Sequence, residues 1–228
     1  RGALGGNIGG NAQFTNYWRT FHSFNFNGDE LSNNELRGGP ALRLPGEKNI
    51  FIGAITNQQK KLSFELEGGV VLSNEKGYKN MTRLDLGINY RPLKSLSFEI
   101  TPGYSIYYNS LMYVNQFDFN KAKRYVMARI DRHTLNMSIR INYNITPDFS
   151  IQYWGQPFIA TGDYSEYKHI TSSKADAVTD RYHLFTDNQI LYNEVSETYS
   201  VDDNTDGTVD YSFDKPDFNY KEFLSNFV

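Results

Sequence analysis

Apolar residues recur at every second position along most of this chain. Leu62, Phe64, Leu66, Gly68, Val70 and Leu72 alternate with Ser63, Glu65, Glu67, Gly69 and Val71. The same period runs through Leu84, Leu86, Ile88 and Tyr90, through Leu96, Phe98, Ile100, Tyr104, Ile106 and Tyr108, and through Leu135, Met137, Ile139, Ile141, Tyr143 and Ile145. Successive strand side chains point to opposite faces, so each segment has one apolar and one polar face. Helical spacing is nowhere sustained, and the fold class is all-β. Leu96–Phe119 and Lys123–Ile145 predict a hairpin far longer than the usual strand of about five or six residues. Within its second arm Val126, Ala128 and Ile130 are even whereas Leu135 and Met137 are odd, which predicts a bulge between Asp131 and Thr134.

Turn chemistry separates two kinds of connection. Short ones fall at Phe14–Asn16, Asn57–Lys60, Arg91–Lys94 and Thr146–Phe149. Long ones span Gly28–Gly46, Ser73–Asn80 and Gly162–Asp217. With strands alternating in direction, the short turns gather at one end and the long loops at the other, as in outer-membrane barrels. The expectation is an antiparallel up-and-down transmembrane β-barrel in the bacterial outer membrane, of which about ten long strands are present. Residues 1–228 would form a single partial barrel domain truncated at both ends, with 28–46 and 162–217 as long extracellular loops. Tyr90, Tyr143 and Tyr153 fall on the apolar face beside short turns, where interfacial aromatics belong. Glu65, Glu67, Arg83, Asp85, Glu99 and Arg140 fall on the polar face and are expected to line the lumen as a ladder of mixed charge. Alternation alone fits a soluble sandwich equally well. Loop asymmetry, the tyrosines and the strand lengths favour the barrel.

Composition narrows the chemistry. Among 228 residues, 23 Lys+Arg against 26 Asp+Glu leave a net charge of −3, without the basic excess of a nucleic-acid binder. The absence of cysteine excludes disulfides, zinc–thiolate sites and thiol nucleophiles. No apolar run is long enough for a transmembrane helix.

The sharpest motif is Asp202-Asp203-Asn204-Thr205-Asp206-Gly207-Thr208-Val209-Asp210. Asp202, Asn204, Asp206 and Asp210, with the Thr208 carbonyl and the turn at Gly207, have the ligand spacing of a calcium loop. Phe213 stands where an EF-hand has its bidentate glutamate, so the alternative is an acidic hairpin turn. Other candidates are weaker. Asp29, Glu30 and Glu35 lack the spacing evidence for paired catalytic carboxylates, and His22, His133, His169 and His183 share no ligand or triad spacing. The Gly-Gly pairs at 5–6 and 9–10 lack a phosphate loop's Lys-Ser/Thr and suit a bending strand. No catalytic constellation emerges.

Several segments together carry a resemblance. Asn33-Asn34-Glu35-Leu36-Arg37-Gly38-Gly39-Pro40-Ala41-Leu42-Arg43, Tyr125 to Leu135, Gln156 to Tyr164 and Asp217-Phe218-Asn219-Tyr220-Lys221-Glu222-Phe223 are similar to segments of a family of Bacteroidota outer-membrane proteins of unknown function. In that family a carbohydrate-binding-family-9-like domain precedes a large C-terminal β-barrel. The resemblance implies a surface-exposed barrel segment, structural or engaged in transport or binding and linked to carbohydrate uptake or processing. It implies outer-membrane lipid as a partner, with an extracellular glycan or another outer-membrane protein beside it. An accessory part of a carbohydrate-active hydrolase and a secreted β-sandwich binding module are the alternatives.

Overall fold

The structure, a computed structural model, describes residues 4–228, so Ala3 at the head of the glycine-rich segment lies outside the described residues. Fifteen strands follow in order: β1 (Gly5–Gln13), β2 (Arg19–Asn27), β3 (Glu30–Ser32), β4 (Leu42–Leu44), β5 (Glu47–Ile55), β6 (Leu62–Ser73), β7 (Lys79–Leu93), β8 (Leu96–Phe119), β9 (Ala122–Thr146), β10 (Phe149–Ile170), β11 (Tyr182–Leu184), β12 (Ile190–Asn193), β13 (Thr198–Val201), β14 (Tyr211–Asp214) and β15 (Phe218–Phe227). The described residues contain no α-helix; a single 3₁₀ turn spans Val178–Arg181. Long alternating segments have no other way to satisfy their backbone groups while splitting apolar from polar side chains.

Ten strands make one antiparallel sheet in the order β1-β2-β5-β6-β7-β8-β9-β10, with β15 and then β11 pairing successive stretches of β10. Two small sheets, β3-β4 and β12-β13-β14, are built within the long connections. The sheet is open: β1 and β15 do not pair, so the described residues form an antiparallel sheet and not the closed barrel expected. The four short turns share one end and the long connections share the other. The long hairpin turns at Asn120 and Lys121, both at positive φ as a two-residue connection requires.

Two sequence expectations need correction. β9 keeps its register against both neighbours through Asp131–Thr134, so no bulge lies there. The nearest irregularities fall on its neighbours, in β8 between Asn109 and Met112 and between Tyr113 and Asn115, and in β10 between Ser165 and Lys168, where Glu166 takes φ 51°; β9 itself has an extra residue only at Ile145, beside the short turn. The loop expected from Gly162 starts later, because β10 continues to Ile170.

Proline and glycine sit where the ladder tolerates them. Pairing of β7 with β8 lapses between Asp85/Gly103 and Ile88/Ile100 at Pro102, which has no N–H to give, and resumes in the same register. Gly53 lies beneath the Phe21 ring of the facing strand, where an added Cβ would stand 2.1 Å from a ring carbon.

Candidate functional site

The sheet has two unlike faces. On one side Ile52, Leu66, Leu84, Ile100, Ile106, Leu135 and Ile159 form an apolar surface that no other layer covers; Leu66 is 50% exposed, Leu84 56% and Leu135 48%. Large side chains normally bury about 1.5–3 kcal/mol of transfer free energy each, so a bare surface this extensive marks an interaction face. Tyr90, Tyr143 and Tyr153 border it at the short-turn end, with Tyr90 stacked on Phe98 at 6.3 Å between centroids. The opposite border was missed by sequence reasoning. There Tyr104 Oη meets His133 Nδ1 at 2.7 Å, Tyr108 donates to the Gly77 carbonyl, and the Arg129 guanidinium lies over the Tyr108 ring. From Tyr143 to His133 the band is about 33 Å along the strand at about 3.3 Å per residue.

The other face carries all six residues expected to line a lumen. Glu67 faces Asp85 across β6 and β7, and Glu99 faces Arg140 across β8 and β9. The expected ladder of pairs is realised only at Arg83, whose Nε and Nη2 reach the Asp85 carboxylate at 2.5 and 2.9 Å. Glu99 and Arg140 are in register without closing an ion pair. Farther along, Arg132 lies over the Tyr107 ring at 4.6 Å.

Beyond the band, the tips of β8–β10 are covered on both sides. On the apolar side Met127 and Ile170 pack with Leu36, Leu42, Tyr78, Leu111 and Val178. Leu36 enters from the Arg37-Gly38-Gly39 turn, where Gly38 takes φ 97°. Gly39 lies so close to Tyr125 that a Cβ would meet the ring at 2.6 Å, and Arg37 stacks on Tyr113 at 4.5 Å. That motif is thus a docking device. Arg181 binds the whole cover together: fully buried, it donates to the carbonyls of Ala175, Asp176 and Arg43 and to Glu75 Oε1. Arg43 in turn holds Asp29 and Asp176. The Gly46 N–H, with Arg43, keeps the Asp29 carboxyl below the usual carboxylate range. Asp29 thus serves as an anion that ties Gly46 and Arg43 together.

On the polar side β12-β13-β14 cover the same tips. Val126, Ala128, Tyr167, Phe185, Val201, Tyr211 and Phe213 form this second core, with Phe117 stacked on Tyr211 at 4.5 Å. Two histidines without related spacing meet here, His169 and His183 at 5.3 Å between centroids. The buried Asp203 carboxylate accepts from Arg124 Nε at 2.5 Å and lies 3.3 Å from His169 Nδ1, out of line for a hydrogen bond. Burial, against the pull of Asp203, lowers the His169 pKa to about 4.

The acidic loop is closed by its own side chains. Asp202 accepts from the N–H groups of Asp206 and Gly207, Asp206 from Thr208, Asn204 from Asp206, and Asp210 from Asp203. Thr205 and Gly207 take φ 60° and 90°. These contacts account for the Asx-turn composition. Among the described residues no three His, Cys, Asp or Glu side chains are grouped to hold a metal ion, and the calcium reading of Asp202, Asn204, Asp206, Thr208 and Asp210 gains no support.

Comparison with known proteins gives one finding. A family model, described as a domain of unknown function (DUF5916), matches residues 3–204. No curated protein and no solved structure matches the chain.

Proposed function

The chain belongs to this DUF5916 family, and on that premise we propose that it forms part of the wall of an outer-membrane β-barrel exposed at the bacterial surface. The observation that carries the reading is the bare apolar band, bordered at both ends by tyrosines and presented by strands that alternate in direction. In water such a face would drive association; against acyl chains it is matched. The polar face then lines the interior, with Glu65, Glu67, Arg83, Asp85, Glu99 and Arg140 toward the lumen. An open edge in hydrocarbon leaves backbone groups unsatisfied, so strands beyond the ten of this sheet close the ring. The doubly covered tips of β8–β10 stand outside the bilayer as the contact surface for an extracellular glycan or another outer-membrane protein. The resemblance to Bacteroidota barrels that follow a carbohydrate-binding-family-9-like domain supports a link to carbohydrate uptake or processing.

Heat-modifiability tests this. The intact protein, refolded in detergent, should migrate differently on a denaturing gel before and after boiling, as closed barrels do. Unchanged mobility, with the protein monodisperse after detergent removal, would instead favour a secreted sandwich in which the bare band is covered by another layer.

A further inference from the structure

The polar face of the sheet holds a trough built by strand register. Arg83, Ser105, Thr134, Ala160 and Tyr220 stand in one row across β7, β8, β9, β10 and β15. The next row toward the long connections runs from Arg132 through Gly162 to Phe218, and the next toward the short turns runs from Asn136 to Phe158. The middle of the first row is small and its ends are large. A groove of about 790 Å³ therefore opens between the arginines of β7 and β9 and the rings of β10 and β15. Gly162 lets the Phe218 ring settle onto the backbone at its margin, for an added Cβ would stand 2.4 Å from a ring carbon. No carboxylate lines the groove. Asp85 is held by Arg83, and Glu222 stands beyond Tyr220 toward the short turns. Arg132 differs from Arg83: it has no carboxylate partner among the described residues, and its buried Nε has no acceptor. Its guanidinium lies over the Tyr107 ring at 4.6 Å, a contact that uses its face and leaves the outer N–H groups for an acceptor.

These groups select a ligand by their chemistry. Asn136 and Gln156 each offer donors and an acceptor, and Ser105 and Thr134 do so through their hydroxyls. Such a set suits a polyhydroxylated solute rather than an apolar one. Phe158 and Tyr220 meet edge to face at 6.1 Å between centroids. With Phe218 they offer ring faces whose negative charge attracts the C–H side of a sugar ring. One guanidinium without a counter-ion matches one carboxylate, whereas a polyphosphate would call for more cations. We propose that this trough binds an acidic oligosaccharide, its carboxylate on Arg132, its hydroxyls on Asn136 and Gln156, and its rings against Phe158, Phe218 and Tyr220. The trough lies on the polar face whatever medium covers the apolar one. That it opens into a lumen rests on the barrel reading, to which the site adds a substrate class.

The test uses the intact protein refolded in detergent, titrated calorimetrically with a trisaccharide of galacturonic acid and with the matching neutral galactose trisaccharide. The acidic sugar should bind about tenfold more tightly, as one hydrogen-bonded charge pair provides, and high salt should narrow that gap. Arg132→Gln should remove the preference and leave affinity for the neutral sugar unchanged. Tyr220→Ala should weaken both sugars by about two- to tenfold. The salt comparison needs no substitution, so it decides the matter even where a variant fails to fold. Heat-modifiability of the same preparation separates the two readings. A heat shift with no binding, or with equal binding of both sugars, overturns the site and leaves the barrel intact. Selective binding of the acidic sugar without a heat shift keeps the site and overturns the barrel. Selectivity that survives undiminished in Arg132→Gln overturns the assignment to this trough.

Discussion

Strand β9 passes through two environments. Between Leu135 and Ile145 one face is bare and apolar while the other is polar. Between Tyr125 and Ile130 both faces are buried, Met127 against the cover on the apolar side and Val126 and Ala128 against β12–β14. The strand itself runs unbroken between these regions, and its pairing with β8 and β10 shifts register only at Val126–Ile130. What changes is who supplies the solvent for the apolar side chains. At the tip the protein supplies it from its own loops, and in the band it supplies none.

That contrast is open to direct attack, most forcefully at Arg181. This guanidinium joins three loops with no exposure to water. Arg181→Met leaves carbonyls and Glu75 without a donor, a loss of about 3–5 kcal/mol. The loss should be local. Amide exchange should accelerate in residues 28–46 and 171–181 while the band strands stay protected, and uniform loosening would show that tip and band are one cooperative unit.

A pair of substitutions on one face of β9 sharpens the comparison. Met127→Ala should cost about 2–5 kcal/mol in any medium, because the side chain is fully buried in protein. Leu135→Arg, on the same face and strand and two residues inside the His133 border, should be near neutral in water, within about 0.5 kcal/mol, yet cost about 1–2 kcal/mol on refolding into lipid. Equal costs in both media would mean that the band is covered by protein.

The alternation itself was legible: strand ends, the long hairpin, the short turns and the sorting of Glu65 through Arg140 onto one face all follow from a period of two. The parity switch in β9 was legible as a signal but misread as a bulge. A change of parity says only that apolar side chains move to the other face. At Val126 and Ala128 they do so because β12–β14 cover that face, a contact made by residues more than fifty positions away in sequence. The same long-range closure hid the meeting of His169, His183 and Asp203 and the role of Arg181. Gly39 was visible as part of a motif, but its reason, the Tyr125 ring above it, belongs to the tertiary structure.

The gentlest probe of the contrast is pH, since the inner cover holds a buried histidine and the band surface offers none in that state. His169 has a folded pKa of about 4 against 6.5 when unfolded. Between these values the unfolded chain binds the proton and the folded chain does not, so stability falls as pH falls. The contribution is complete above about pH 6.5 and is lost progressively toward pH 4, on the order of 3 kcal/mol in all. Arg124 and His183 share the charge environment of His169 and oppose its protonation, while Asp203 favours it. Acidification should therefore expose residues 182–217 to protease before the band strands respond. His169→Phe should flatten that dependence across the same interval. Acid loosening that persists undiminished in His169→Phe would move the sensitive group elsewhere in the molecule, and simultaneous release of the band strands would join the two environments of β9 into one.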